Sequence, residues 1–151
     1  MRLAEQDEVV VIGYAVRTHN ADEADPARAR IPGLWQRATA PGAFDGVEGR
    51  RDQRLYAVLT GYESDHHGAY TQIVGVAVTE SAAVPGGMAT ARVPAGKYLL
   101  VEARGAMPAA LIEAWATAWR HTESGATPPR AFTTDLEIHH EEGADLYLAT
   151  A

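Results

Sequence analysis

The chain has 151 residues, 46% apolar and 22% charged. That is enough for one domain with a real core, and it excludes disordered, collagen-like and coiled-coil architectures. Cys is absent and Lys plus Arg is 13 against 20 Asp plus Glu, a formal charge of −7; this excludes disulfides and thiolate chemistry, supplies no basic excess for a phosphate backbone, and draws cations to any cleft where carboxylates gather.

Met1 to Glu8 is acidic and lacks the apolar core of a secretory signal, and no run reaches the ~18 apolar residues of a membrane span. A cytoplasmic protein with no membrane partner is expected. Val9 to Val16 is β-branched and reads as a strand. Thr18 to Arg30 is polar and Ala-rich, a loop or loose helical turn. Ile31 to Ala38 reads as a short helix with Pro32 near its first position, stopped by Pro41 and Gly42. Phe44 to Gln53 is a Gly-rich, charged loop. Leu55 to Tyr62 and Ala69 to Val78 are strand signals joined by Ser64-Asp65-His66-His67-Gly68, which suits a hairpin. Ser81 to Gly87 is a small-residue loop. Met88 to Ala103 is one long strand pattern, bent at Pro94-Ala95-Gly96. Pro108 to His121 is the clearest helix, with Leu111, Trp115 and Trp119 at i, i+4 and i+8. Ala131 to His139 and Asp145 to Thr150 form a last strand pair across Glu141-Glu142-Gly143.

The order strand, helix, strand, strand occurs twice. Pro32 and Pro108 are 76 residues apart, as are Tyr56 and Phe132. The expected fold is therefore α+β: duplicated β-α-β-β modules, about 9–80 and 88–150, fused into one domain over 1–151. Each half alone is too small for a good core. The halves are expected to pack through antiparallel sheets and leave a cleft at the pseudo-two-fold.

Several segments carry a resemblance. Tyr56-Ala57-Val58 leads to Tyr62-Glu63-Ser64-Asp65, Gly68-Ala69-Tyr70 and Val74-Gly75-Val76. Then come Val93-Pro94-Ala95-Gly96-Lys97-Tyr98, Trp115 and Trp119, Phe132-Thr133-Thr134-Asp135-Leu136-Glu137-Ile138, and Asp145-Leu146-Tyr147-Leu148-Ala149. In this order they resemble the GyrI-like family, the effector-binding domain of bacterial transcription activators, and its standalone integron-cassette members most. The resemblance implies a duplicated module with a ligand cleft between the copies. Regulator members carry a helix-turn-helix unit before this domain; the strand at Val9 leaves no room for one, so DNA binding is not expected. Where the family usually has an aromatic two residues after the strand Glu, this chain has His139.

On the last strand pair, alternation places Phe132, Leu136 and Ile138 on one face and Thr133, Asp135, Glu137 and His139 on the other. Pattern alone reads that second face as solvated. The resemblance reads Glu137 as the cleft residue that pairs with cationic ligands, held by Coulomb attraction in a low dielectric and by cation–π contacts. The ligand-binding set it implies is Glu137, Tyr56, Tyr70, Trp35, Trp115 and Tyr147. Of the three tryptophans, one or at most two are expected to reach the cleft. His139 and His140 point to opposite faces of a strand, and His66 and His67 read as solvated turn residues, so no metal is expected. No phosphate loop or nucleophile elbow is present, so no cofactor and no motif-assigned catalytic residue is expected.

The leading expectation is a standalone binder of amphipathic, cationic organic molecules, sequestering a xenobiotic or sensing a ligand for a separate regulator protein. Two alternatives follow from the resemblance. One is a hydrolase of reactive cyclopropane-containing compounds in which Glu137 and Tyr70 activate and orient water. The other is a gyrase-inhibitor-like protein-interaction module.

Overall fold

The computed structural model describes residues 1–79 and 83–151; the loop read at Ser81 to Gly87 lies partly outside the described residues. In chain order these residues form β1 (Arg2–Gln6), β2 (Val9–Thr18), α1 (Asn20–Glu23), α2 (Ile31–Ala38), β3 (Leu55–Thr60), β4 (Tyr70–Val78), β5 (Ala89–Val93), β6 (Gly96–Arg104), α3 (Ala109–Glu123), β7 (Thr134–His140) and β8 (Gly143–Ala149). The fold is α+β. One antiparallel sheet runs β1-β6-β8-β7-β3-β4-β2-β5, and its order is symmetric about the β7–β3 pair. The halves do not stack as separate sheets. They join edge to edge, from Leu55 opposite His139 to Thr60 opposite Thr134.

Two stretches differ from the sequence reading. Arg2 to Gln6 is short, polar and largely exposed, without a local strand signal, and becomes β1 by pairing with β6. The single pattern over Met88 to Ala103 is two strands. Pro94, which has no N–H to donate, falls in the break. β5 pairs with β2, while β6 lies between β8 and β1. Each repeat is thus β-β-α-β-β, and the two repeats exchange their first strands.

The exchange bends the sheet. β1 and β2 lie near opposite ends of it, yet only Asp7 and Glu8 separate them in sequence. Three peptide steps span at most about 11 Å, so the sheet curls until its ends approach. Its inner face buries one cluster drawn from both ends, including Val9, Val11, Val58, Val93, Tyr98 and Leu136. On the outer face α2 lays Leu34 and Ala38 against Ile12, Val74 and Val76. There α3 lays Ala114 and Ala118 against Leu99, Val101, Leu146 and Leu148. The stripe Leu111-Trp115-Trp119 is not the main sheet contact of α3. The Ala row takes that place and lets the helix sit close, which turns the larger side chains sideways into the gap between the helices. No described helix is long and apolar enough to cross a membrane.

The tightest backbone approach is between Gly13 of β2 and Gly75 of β4, which face each other in register. A Cβ on Gly75 would sit 1.9 Å from the Ile12 carbonyl oxygen. Gly75→Ala is expected to cost about 2–4 kcal/mol in urea unfolding, an overpacking effect. Gly33→Ala, in an exposed turn of α2 where nothing lies within 4 Å of the added carbon, is expected to be neutral or stabilising by up to ~1 kcal/mol. Residues 1–84 expressed alone are expected to show no cooperative urea transition. In that fragment β1 loses β6, β2 loses β5 and β3 loses β7. A native-like transition would refute the mutual dependence of the repeats.

Candidate functional site

The gap between α2 and α3 is a cavity of about 220 Å³ floored by the β3–β7 pair and β4. Trp35 and Ile31 come from α2, Leu111, Trp115 and Trp119 from α3, and Leu59, Tyr70, Gln72 and Glu137 from the floor. Alternation along β7 puts Leu136 and Ile138 in the inner core and turns Glu137 outward into the cavity. Its register partner on β3 is Ala57, a side chain too small to fill the space above it.

Glu137 is 3% exposed. Its Oε2 accepts from Trp115 Nε1 at 2.6 Å, and its Oε1 lies 2.7 Å from His139 Nε2. The His139 ring packs on Trp35 at 4.6 Å between centroids. His139 therefore supplies the flat ring that an aromatic would, and adds a polar contact. A carboxylate has about four lone-pair sites, so two remain for a ligand. Among the described residues no Lys or Arg pairs with Glu137. The carboxylate is buried in a largely apolar, low-dielectric site with His139 as its one ion-pair contact among the described residues, an arrangement that favours an incoming cation.

Tyr70 O–H donates to Asn20 Oδ1 at 3.1 Å. Burial, with the negative charges of Glu23 and Glu137 nearby, pushes its phenol far above the ordinary tyrosine value, so it stays a neutral donor. Glu23 borders the cavity but is committed to structure. It accepts from Thr18 Oγ1 and from the backbone N–H groups of Arg30 and Ile31, holding the start of α2.

Asp135, on the Glu137 face of β7, is fully buried rather than solvated. It accepts from Arg130 Nη2 at 2.8 Å, Tyr62 O–H at 2.5 Å and Ala149 N–H at 2.8 Å. Burial first, then Asp135, raises the Tyr62 phenol well above its usual value. Arg130 lies 4.4 Å over the Phe132 ring. Phe132 holds a left-handed backbone (φ +53°), a conformation that costs an L-residue roughly 1–2 kcal/mol and that Gly or Asn would have signalled in sequence.

Of the six residues named from sequence, the structure brings Glu137, Tyr70, Trp35 and Trp115 to the cavity. Tyr56 and Tyr147 do not reach it. Tyr56 is in the inner core with its hydroxyl on Asp52, and Tyr147 packs against that core and edge-on to Tyr98. All three tryptophans border the cavity. Sequence reasoning missed Leu111 and Trp119 as lining, and Arg130 and Tyr62 as polar wall. His66 is not a solvated turn residue. It is buried at the cavity, 3.3 Å from Glu123, with His67 exposed beside it. One donor atom each of Asp65, His66 and His67 falls within 4.8 Å. His140 turns away from His139 toward Asp145.

A curled sheet of two repeats, with a tryptophan-lined cleft over their junction and a buried carboxylate in its floor, defines an effector-binding domain of the GyrI-like superfamily. The family model of the integron-associated effector binding protein (Cass2) matches residues 2–150, and the chain belongs to that family. It is similar to an integron cassette protein from the mobile metagenome of Vibrio cholerae, with a TM-score of 0.80, 30% identity, and coverage of 99% of this chain and 95% of that one. The structure of SAV2435 bound to tetraphenylphosphonium shares the fold at TM-score 0.74 and 16% identity, covering 99% and 93% of the two chains. YobU of Bacillus subtilis (strain 168), described as a candidate transcriptional regulator, is 28% identical over 134 residues, 87% of this chain and 81% of its own.

Burial and the hydrogen bond to Asp52 push the Tyr56 phenol up to about 12, and Tyr62 and Tyr70 are raised as well. Unfolded tyrosines ionise near pH 10. Their stabilising contribution is complete below pH 10 and is lost as pH rises through about 12. Urea midpoints are expected to be level from pH 8 to 9.5 and to fall from 10 to 12. Tyrosinate absorbance should follow unfolding rather than precede it, and Tyr56→Phe should flatten the fall.

Proposed function

We propose that this protein binds amphipathic organic cations in the cleft between α2 and α3, with Glu137 as the anionic anchor and Trp35, Trp115 and Trp119 as the aromatic walls. The observation that carries the reading is the burial of the Glu137 carboxylate beside Trp115 and His139 without an Arg or Lys partner. A lipophilic cation recovers Coulomb energy there that water would screen, and the indole faces add cation–π attraction. The shared fold with SAV2435, whose structure holds the lipophilic cation tetraphenylphosphonium, and membership of an effector-binding family support the same reading. Binding serves sensing or sequestration, with any output passed to a separate regulator protein.

Glu137→Gln tests the anchor because it removes charge and little else. A Gln carbonyl still accepts from Trp115 Nε1, and its amide still donates to a neutral His139. The expected loss is about 2–4 kcal/mol for a cationic dye, against much less for a neutral dye of the same shape. Glu113→Gln, on the exposed side of α3 where it meets Arg120, is the control and should change neither. Titration calorimetry with the matched pair decides. Equal losses for both dyes, or none, would remove Glu137 from the site. The hydrolytic reading has one observation in its favour, that Tyr70 and Glu137 share the cavity. Turnover of a reactive cyclopropane compound that Glu137→Gln abolishes would establish it over simple binding.

A further inference from the structure

Arg130 has no part in the reading above, yet it borders the same cavity. Its side chain is 1% exposed. Of its five N–H donors, those on Nη2 reach Asp135 Oδ2 at 2.8 Å. Among the described residues nothing accepts from Nε or Nη1. Asp135 has little more to offer, since Tyr62 and Ala149 N–H already donate to it. Nor is the pairing the two-pronged fork that Arg and a carboxylate frequently form. The guanidinium carbon lies 4.4 Å from the Phe132 ring centroid and 5.7 Å from that of Trp115. What remains unsatisfied is its N–H edge. Charged donors left unpaired away from water are among the most costly groups a fold can hold.

Trp115 connects this edge to the anchor. Its indole N–H donates to Glu137, while its ring lies against Arg130. One indole thus touches both an anionic pole and a donor pole. The Arg130 charge is balanced by Asp135, so the Glu137 charge is left for the cation, and the group that meets Arg130 has only to accept hydrogen bonds.

We propose that Nε and Nη1 of Arg130 receive an oxygen acceptor of the ligand, so that the cavity selects organic cations carrying a carbonyl or carboxylate about one indole's breadth from the cationic centre. This deepens the cation-binding reading and rests on it for the first pole only. The acceptor reaches the edge as the Trp115 ring gives way, which makes Trp fluorescence a second reporter of the contact.

Three xanthene dyes separate the poles. Rosamine is a cation without an acceptor arm, rhodamine 123 adds an ester beside the same cation, and dihydrorhodamine 123 keeps the ester but is neutral. The wild-type protein is expected to bind rhodamine 123 about ten-fold tighter than rosamine in calorimetry, the yield of one well-placed charged hydrogen bond. Arg130→Lys keeps a cation for Asp135 and removes the Nε and Nη1 donors. It should abolish the ten-fold preference, with a much smaller loss for rosamine than for rhodamine 123. Glu137→Gln should weaken both cationic dyes alike and dihydrorhodamine 123 much less. Equal wild-type affinity for rosamine and rhodamine 123 would overturn the proposal, and that comparison needs no variant to fold. So would an equal loss of both cations in Arg130→Lys, or a crystal structure of the rhodamine 123 complex with water retained on Nε and Nη1. If binding of the ester dyes depends on Arg130 but no dye depends on Glu137, the cation reading falls and the acceptor pole stands. No binding by any of the three dyes overturns both.

Discussion

The pairing of β3 with β7 is the constraint on which the molecule depends. It is the central one of three strand pairs between the repeats, flanked by the exchanged pairs β1–β6 and β2–β5, and it holds Ala57 opposite Glu137. Each repeat covers its own part of the outer face with its own helix. Neither helix covers the junction, because α2 packs on Ile12 and Val74 and α3 on Leu99 and Leu146. A cleft over β3–β7 is thus a consequence of duplication. Two helices centred on two half-sheets leave a trough along the seam.

That origin explains the composition of the site. A residue on the outer face of the seam strands lies under no helix, so it can be polar without breaking helix–sheet packing. Asp135, Glu137 and His139 occupy that face of β7, while Leu136 and Ile138 lie beneath in the inner core. The walls come from the flanks of the helices, and a flank carries large side chains only if the face against the sheet is small. Ala114 and Ala118 meet this condition on α3, and Trp115 is thereby free to bridge wall and floor through Glu137.

Sequence revealed the elements whose signals are local and much less of what pairing decides. Ile31 to Ala38 and the four hairpin strands β3, β4, β7 and β8 read correctly because β-branched runs and Pro–Gly stops act within a few residues. β1 was illegible: Arg2-Leu3-Ala4-Glu5-Gln6 has no strand pattern and is ordered by β6 alone. The break at Pro94 was visible, but that β5 leaves for β2 was not, since strand exchange is a property of topology. The site was half legible. Trp115 lies on a legible helix stripe, whereas the strand pattern read the Glu137 face as solvated and only the resemblance pointed Glu137 to a cleft. Tyr56 and Tyr147 failed because tyrosine content says nothing about which face a ring occupies. Arg130 lies two residues before a left-handed Phe132, and no local pattern announces either that backbone or the buried ion pair it frames.

The repeats also fix how occupancy of the cleft is felt by the rest of the fold. Trp35 belongs to the first repeat and Trp115 and Glu137 to the second, so any molecule between the helices touches both. A ligand that binds only the assembled seam stabilises it by RT ln(1 + [L]/Kd), about 2.7 kcal/mol at a hundred times Kd. The strands exchanged across the β3–β7 junction join the same two repeats. β5 ties the second repeat to β2, and β1 ties the first to β6. The edge strands β1 and β5 lie farthest from the seam, yet they are joined through the chain to the repeat on its other side.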